Sequence, residues 1–99
     1  MKTWDDWSDF EINKAVGFIV KSIKRGKVNS YYERWCPDYC NNPADMWPII
    51  VNNKIGLQPD PFKNGNWFAF DIDELIMHEN TNPLRSAAIV FLEMNGVKP

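Results

Sequence analysis

The stretch "NPLRSAAIVFLEMNG", residues 82–96, predicts a helix that is buried on most of its sides. Asn82 is a good N-cap, and Pro83 suits the first helical position, where its missing N–H costs nothing. Gly96 is a natural stop. Apolar residues cover most of the circumference, as in helices that other elements surround. The polar stripe that remains consists of Arg85, Ser86 and Glu93.

A second helix is predicted near the start of the chain, from about Asp9 to Arg25. Ser8 and Glu11 have the spacing of a capping box, in which each side chain bonds the other's backbone N–H. Gly26 follows the last turn. The apolar residues recur at i, i+3, i+4, i+7, i+8 and i+11, one face of a helix: Ile12, Ala15, Val16, Ile19, Val20 and Ile23.

An Asn-Pro pair also begins the helix predicted in "NNPADMWPIIVNN", residues 41–53. Asn42 is its N-cap and Pro43 its first residue. Pro48 removes one backbone hydrogen bond further on, so the prediction is a short, bent helix from Pro43 to about Asn53. The apolar residues at helical spacing are Ala44, Trp47, Ile50 and Val51.

The Trp47-Pro48 pair has two interpretations. In the first, Trp47 fills the core while Pro48 turns the chain back towards the sheet; Trp47→Ala would then cost about 3–5 kcal/mol. In the second, Asn41, Asp45 and Arg85 form a polar pocket between the two Asn-Pro helix starts. The first is favoured because buried Trp is common and pockets are few in one protein.

Between the last two helices the sequence predicts short strands. One runs from Ile55 to Gln58 and is stopped by Pro59. Asn64-Gly65 is a hairpin signal, and "NWFAFDI", residues 66–72, is a strand with Phe68, Phe70 and Ile72 on one face and Trp67, Ala69 and Asp71 on the other. Residues 74–80 form a further strand or an irregular edge. The expected fold is α+β: a single domain, 1–99, with three helices packed on a small, mainly antiparallel sheet as a two- or three-layer sandwich.

Composition argues against several classes of protein. The 99 residues carry a net charge of −2, whereas proteins that bind DNA phosphates present a basic surface. The basic run "KSIKRGK", residues 21–27, is explained by a helix end, where cations complement the helix dipole. No apolar run has the length of a membrane span, and no secretory leader is recognisable. A cytoplasmic protein with reduced thiols is expected.

No pattern of catalytic residues stands out. Cys36 and Cys40, with His78 as the single imidazole, form no spacing typical of zinc sites, even with Asp38 as a fourth ligand. Asp71 and Asp73 would point the same way on a strand, which is also an ordinary strand end. No phosphate-binding, nucleotide-binding or hydrolase motif is present. No cofactor and no metal are expected, and enzymatic activity has no positive support.

Three binding hypotheses remain open. The first is a protein-interaction module with an aromatic patch formed by Tyr31, Tyr32, Trp35 and Trp47, residue types that anchor interfaces. The second is a binder of a small anionic, nucleotide-like ligand, held by the backbone amides of the two Asn-Pro helix starts with help from Arg85. Arg85 could equally pair with Asp45 or Asp38. A role in nucleic-acid metabolism is the third.

Three blocks of the sequence, in this order, resemble the NinX-like proteins of tailed bacteriophages: "WSDFEINKAV" (7–16), "DYCNNPADMWPIIVNNKIGL" (38–57) and "NPLRSAAIVFLEM" (82–94). They cover nearly half of the chain, and the N-P-x-D-x-W-P and N-P-L-R patterns are the specific part. Residues 58–77 depart freely from the resemblance.

The resemblance implies a small accessory protein made in the cytoplasm of an infected bacterial host. It implies helices packed on a small antiparallel sheet and supplies no catalytic residue to transfer. The partner expected on this basis is a host or phage protein, with a homo-oligomer as a further option. Tyr32, Trp35, Asn41, Asp45, Trp47 and Arg85 are the candidate binding residues.

Overall fold

The computed structural model describes residues 2–20 and 36–99, in which three α-helices and one three-stranded sheet form. This architecture confirms the predicted α+β class. A short 3-10 helix precedes the first α-helix at Trp4–Asp6. The helices are α1 (Asp9–Val20), α2 (Pro43–Asn53) and α3 (Pro83–Met94), and the strands are β1 (Gly56–Pro59), β2 (Trp67–Phe70) and β3 (Met77–Asn80).

Helix α3 lies at the centre of the described structure. It packs against the sheet, mainly β2 and β3, and also against α1 and α2. Every residue from 86 to 92 is buried, which confirms the prediction of a helix covered on most sides. Ser86 belongs to this buried run rather than to an exposed stripe, and its hydroxyl donates to the carbonyl of Trp67 at 3.3 Å. Helices α1 and α2 thus join the sheet chiefly through α3.

The helix starts follow the predicted capping chemistry. The Ser8 N–H bonds Glu11 Oε1 and the Glu11 N–H bonds Ser8 Oγ, which is a complete capping box. Asn42 Oδ1 accepts from Ala44 N, and Asn82 Oδ1 accepts from Leu84 N and Arg85 N. The predicted continuation of α1 to Arg25 lies outside the described residues.

The sheet has the order β1-β2-β3, and both pairings are antiparallel. Ala69, in the middle of β2, is wholly buried on the face that α3 covers. Phe68 and Phe70 alternate to the opposite face, as the sequence predicts. Strand β1 includes Pro59, one residue beyond the predicted end, which an edge strand tolerates because one side of its backbone needs no partner.

Strand β2 ends two residues earlier than predicted, and the physical reason is Asp71. Its backbone N–H bonds the carbonyl of Ile76, and its Oδ1 accepts from the N–H of Ile76. These bonds close the turn between β2 and β3. Asp71 and Asp73 therefore lie in a turn, one buried and one exposed, and do not form the carboxylate pair considered from the sequence.

Helix α2 has the predicted bounds but presents a different face to the core. Met46, Ile49 and Ile50 are buried, whereas Trp47 is 59% exposed. The prediction that Trp47 fills the core is therefore wrong, and a large cost of its truncation is no longer expected. The cause is that α2 is apolar on both faces, so that periodicity alone does not choose which face is buried. The helix runs unbroken through Pro48.

Candidate functional site

A polar cluster joins α1, α2 and α3 at their N-terminal ends. Arg85, in the first turn of α3, lies 2.6 Å from Asp9 Oδ1, at the start of α1. Its second terminal nitrogen donates to the backbone carbonyls of Trp4 and Trp7, at 2.9 and 2.6 Å. The side chain of Arg85 is only 12% exposed. The guanidinium thus holds the N-terminal segment of the chain against α3.

Asn41 and Asn82 extend this cluster towards α2. Asn82 Nδ2 donates to the carbonyl of Cys40 at 2.7 Å and to Asn41 Oδ1 at 3.0 Å. Asn41 Nδ2 in turn donates to Asp9 Oδ2 at 3.1 Å. Asp9 therefore accepts from both Asn41 and Arg85, one on each carboxylate oxygen.

The other side of the cluster is built on Asn13, which is buried in the middle of α1. Its Oδ1 accepts from the N–H of Cys40 at 2.9 Å, and its Nδ2 donates to Asp38 Oδ1 at 2.9 Å. The Asp38 N–H donates to Asp45 Oδ2 at 3.2 Å. These bonds attach the segment before α2 to α1.

The structure brings three of the predicted site residues into this cluster: Asn41, Asp45 and Arg85. The predicted partners of Arg85 are corrected, since it pairs with Asp9 rather than with Asp45 or Asp38. Sequence reasoning missed Asp9 because a carboxylate in the first turn of a helix is ordinary capping chemistry. Nothing in its local pattern shows that it contacts a residue 76 positions away.

The electrostatics of Asp9 reflect the same contacts. Burial favours the neutral acid, but the hydrogen bonds from Asn41 and Arg85 and the positive charge of Arg85 outweigh it. The pKa of the Asp9 carboxyl consequently lies below its ordinary value. Asp9 thus stays charged together with Arg85, as an ion pair that closes the cluster.

The anion-site hypothesis gains no support from this geometry. At α2, Ala44 N bonds Asn42 Oδ1, and the next two amides bond the Asn42 carbonyl. At α3, the first two amides bond Asn82 Oδ1, and Ser86 N bonds the Asn82 carbonyl. The amides that would hold an anion already have partners within the chain. The cluster is therefore arranged to hold helices together.

The two cysteines show no sign of activation. Both thiols are free, and Cys40 is buried with its Sγ 3.8 Å from the carbonyl oxygen of Asp9. Burial, aided by nearby carboxylates, raises the pKa of Cys40 to about 12 and that of Cys36 to about 11. Nucleophilic cysteines have lowered pKa values instead. Within residues 2–20 and 36–99, no group of three or more His, Cys, Asp and Glu side chains could hold a metal ion.

His78 lies on β3 opposite Ala69, with its Nε2 buried and without a hydrogen-bond partner in the described part of the chain. Burial lowers the pKa of this imidazole and Arg85 adds to the effect, whereas Glu93, Asp5 and Glu79 oppose it. In the folded protein His78 is therefore neutral at pH values where a free imidazole is charged.

A pH-dependent stability follows from His78. Below about pH 6.5 the unfolded chain binds a proton at this residue, but the folded chain does so only at lower pH. The free energy of unfolding should therefore fall as pH decreases through this window, by at most about 1.4 kcal/mol per pH unit from this group. Urea unfolding at several pH values, for wild type and His78→Gln, isolates the contribution. An identical pH dependence in both would contradict the prediction.

A second candidate site is the outer face of α2, which consists of Ala44, Trp47, Pro48 and Val51. All four are exposed, Trp47 by 59% and Val51 by 52%. Their spacing of i, i+3, i+4 and i+7 places them in one stripe along the helix. Of the other predicted aromatic residues, Tyr31, Tyr32 and Trp35 lie outside the described residues, as does the basic run at 21–27.

Together these features define a small α+β protein whose polar cluster is hydrogen-bonded within the chain and whose second helix presents an apolar stripe to solvent. A family model described as "Bacteriophage P22, NinX" matches residues 4–95, so the chain belongs to the NinX family of phage proteins, as the resemblance predicts. No curated protein and no solved structure matches the chain. No helix within residues 2–20 and 36–99 is long and apolar enough to cross a membrane.

Proposed function

We propose that this phage protein acts without catalysis, in the cytoplasm of the infected bacterial host, by binding a host or phage protein. The observation that carries the proposal is the apolar outer face of α2, centred on Trp47. Trp is among the residue types that contribute most to binding energy in interfaces. An apolar face of this kind is typical of surfaces that another protein covers.

The construction of α2 supports this role. Its inner face, formed by Met46, Ile49 and Ile50, already supplies the contacts with the core. Folding therefore does not require large apolar residues at positions 47 and 51 as well. The polar cluster fixes the beginning of the helix through Asn41 and Asp45, so the stripe is presented on a rigid element. Rigid presentation lowers the entropy cost of binding.

Replacing Trp47 with alanine should leave the fold intact while weakening partner binding. Because the indole is mostly exposed, the free energy of unfolding should change by less than about 1 kcal/mol. A central Trp anchor, in contrast, is worth about 2 kcal/mol or more of binding free energy, roughly a thirtyfold change in affinity. Urea unfolding and affinity measured with the purified partner test the two halves separately.

The partner is first identified by chemical cross-linking and mass spectrometry with the tagged protein in infected and uninfected cells. The matched control is Phe62→Ala, which removes an aromatic ring that is 94% exposed in the loop after β1. A partner retained by Phe62→Ala and lost by Trp47→Ala and Val51→Ala supports the proposal. A partner that all three variants retain equally would refute the role of α2. Light scattering of the purified protein detects the case in which the partner is a second copy.

A further inference from the structure

The outer face of the sheet carries a hollow that the α2 surface does not involve. A cavity of about 260 Å³ opens between Gln58 of β1, Phe68 and Phe70 of β2, Met77 of β3 and Glu74 of the turn between β2 and β3. Phe68 and Phe70 alternate with the buried Ala69, so this face points away from α3. Small-molecule sites measure roughly 300–1,000 Å³. The hollow lies just below that range, so it suits one long side chain better than a whole small molecule.

One wall of the cavity is fixed by an aromatic ring lying over a glycine. Gly56 and Phe70 are directly paired across β1 and β2. A Cβ atom placed on Gly56 would overlap Cε2 and Cζ of Phe70, so the ring occupies the space that a side chain at position 56 would need. The ring of Phe70 is thereby held against β1, and the space beside it, towards Phe68 and Met77, stays open.

Glu79 and Glu74, two carboxylates near this face, differ in their partners. Glu79, opposite Phe68, accepts from Asn66 Nδ2 at 2.9 Å and lies 3.5 Å from Lys63 Nζ. Glu74, which lines the cavity, has no ion-pair or side-chain hydrogen-bond partner in the described part of the chain. It also occupies the left-handed backbone region, with φ of 56°, where Gly or Asn folds more easily. The turn itself therefore gives no reason for a glutamate there.

From these observations we propose that the cavity binds one basic side chain, an arginine, of a protein ligand. The stem of an arginine packs on apolar surface, and its guanidinium stacks on aromatic rings. Here Phe68, Phe70 and Met77 supply the apolar walls. The carboxylate of Glu74 supplies the opposite charge, and the amide oxygen of Gln58 supplies a further acceptor.

The test uses N-acetyl-arginine methylamide as the probe and follows the backbone amide signals of the protein by NMR. The comparator is N-acetyl-citrulline methylamide, which keeps the shape of the side chain but carries no charge. Saturable shifts of the Phe68, Phe70 and Met77 signals at millimolar concentrations are expected with the arginine probe, and weaker binding with citrulline. No saturable shift at these residues, or equal affinity for both probes, would overturn the proposal.

Glu74→Gln and Asp73→Asn form a matched pair of variants. Each removes one negative charge from the same exposed turn, but only Glu74 lines the cavity. Glu74→Gln should weaken arginine binding roughly fivefold and Asp73→Asn should leave it unchanged. If the two variants weaken arginine binding equally, the probe is attracted by the overall negative charge of the turn, and the proposed site is wrong. Because Trp47 lies on another surface, this outcome is independent of the outcome for α2.

Discussion

Replacing Arg85 with alanine is expected to lower the free energy of unfolding by about 2–4 kcal/mol. The guanidinium is 12% exposed and serves the Asp9 carboxylate and the carbonyls of Trp4 and Trp7 together. Without it, the carbonyl of Trp7 loses its donor and that of Trp4 keeps only the Trp7 N–H. The N-terminal segment is then attached to α3 mainly through Trp4, whose indole N–H donates to Glu93. The expected loss is smaller than for a fully buried ion pair because Asp9 is 43% exposed and water can reach it.

Two further variants separate the charge of Arg85 from its geometry. Arg85→Lys keeps the charge but loses the planar guanidinium that serves three acceptors at once. Its free energy of unfolding should therefore lie between those of wild type and Arg85→Ala. Asp9→Asn removes the charged partner but leaves both carbonyl contacts, so it should lower the free energy of unfolding least of the three variants. Chemical denaturation followed by Trp fluorescence measures all of them. If the free energy of unfolding of Arg85→Ala lies within about 0.5 kcal/mol of the wild-type value, the cluster does not stabilise the fold.

Truncating Leu92 to alanine is expected to cost about 2–5 kcal/mol, comparable to or larger than the effect at Arg85. Leu92 is completely buried on α3, the helix that contacts the sheet, α1 and α2. The truncation removes contacts at the centre of the core and leaves a cavity that surrounding elements fill only in part.

Met94→Ala, on the same helix, is the control for Leu92→Ala. Met94 is 37% exposed, so its truncation should cost less than about 1 kcal/mol. Urea unfolding measures both variants, and an unchanged dependence on denaturant shows that the unfolding reaction is the same. If Leu92→Ala and Met94→Ala lower the free energy of unfolding equally, the placement of α3 at the centre of the core is contradicted.

Much of the fold could be predicted because its signals are local. The capping box at Ser8 and the Asn-Pro starts of α2 and α3 fix where helices begin, and each is confirmed by hydrogen bonds. The nearly continuous apolar surface of α3 predicted its burial. In β2, alternation placed Phe68 and Phe70 on the face opposite Ala69, as the structure shows.

What failed depended on tertiary contacts. Helix α2 carries apolar residues on two faces, and its packing on α3 through Met46, Ile49 and Ile50 decides which face is buried. The interpretation that places Trp47 in the core therefore failed. In the polar cluster, Asn41 and Arg85 both contact Asp9, a residue not singled out from the sequence. Its contact with Arg85 spans 76 positions of the chain, and no local pattern encodes it.

The central place of α3 has a consequence for how the protein is made. Every other described element precedes α3 in the chain, yet α1, α2 and the sheet meet mainly through it. A ribosome releases the N-terminal elements first, at a stage when the helix they pack against has not been synthesised. The nascent chain must therefore keep the apolar faces of α1, α2 and the sheet exposed until α3 has been synthesised. During that interval chaperones and proteases meet an incomplete core rather than a folded protein.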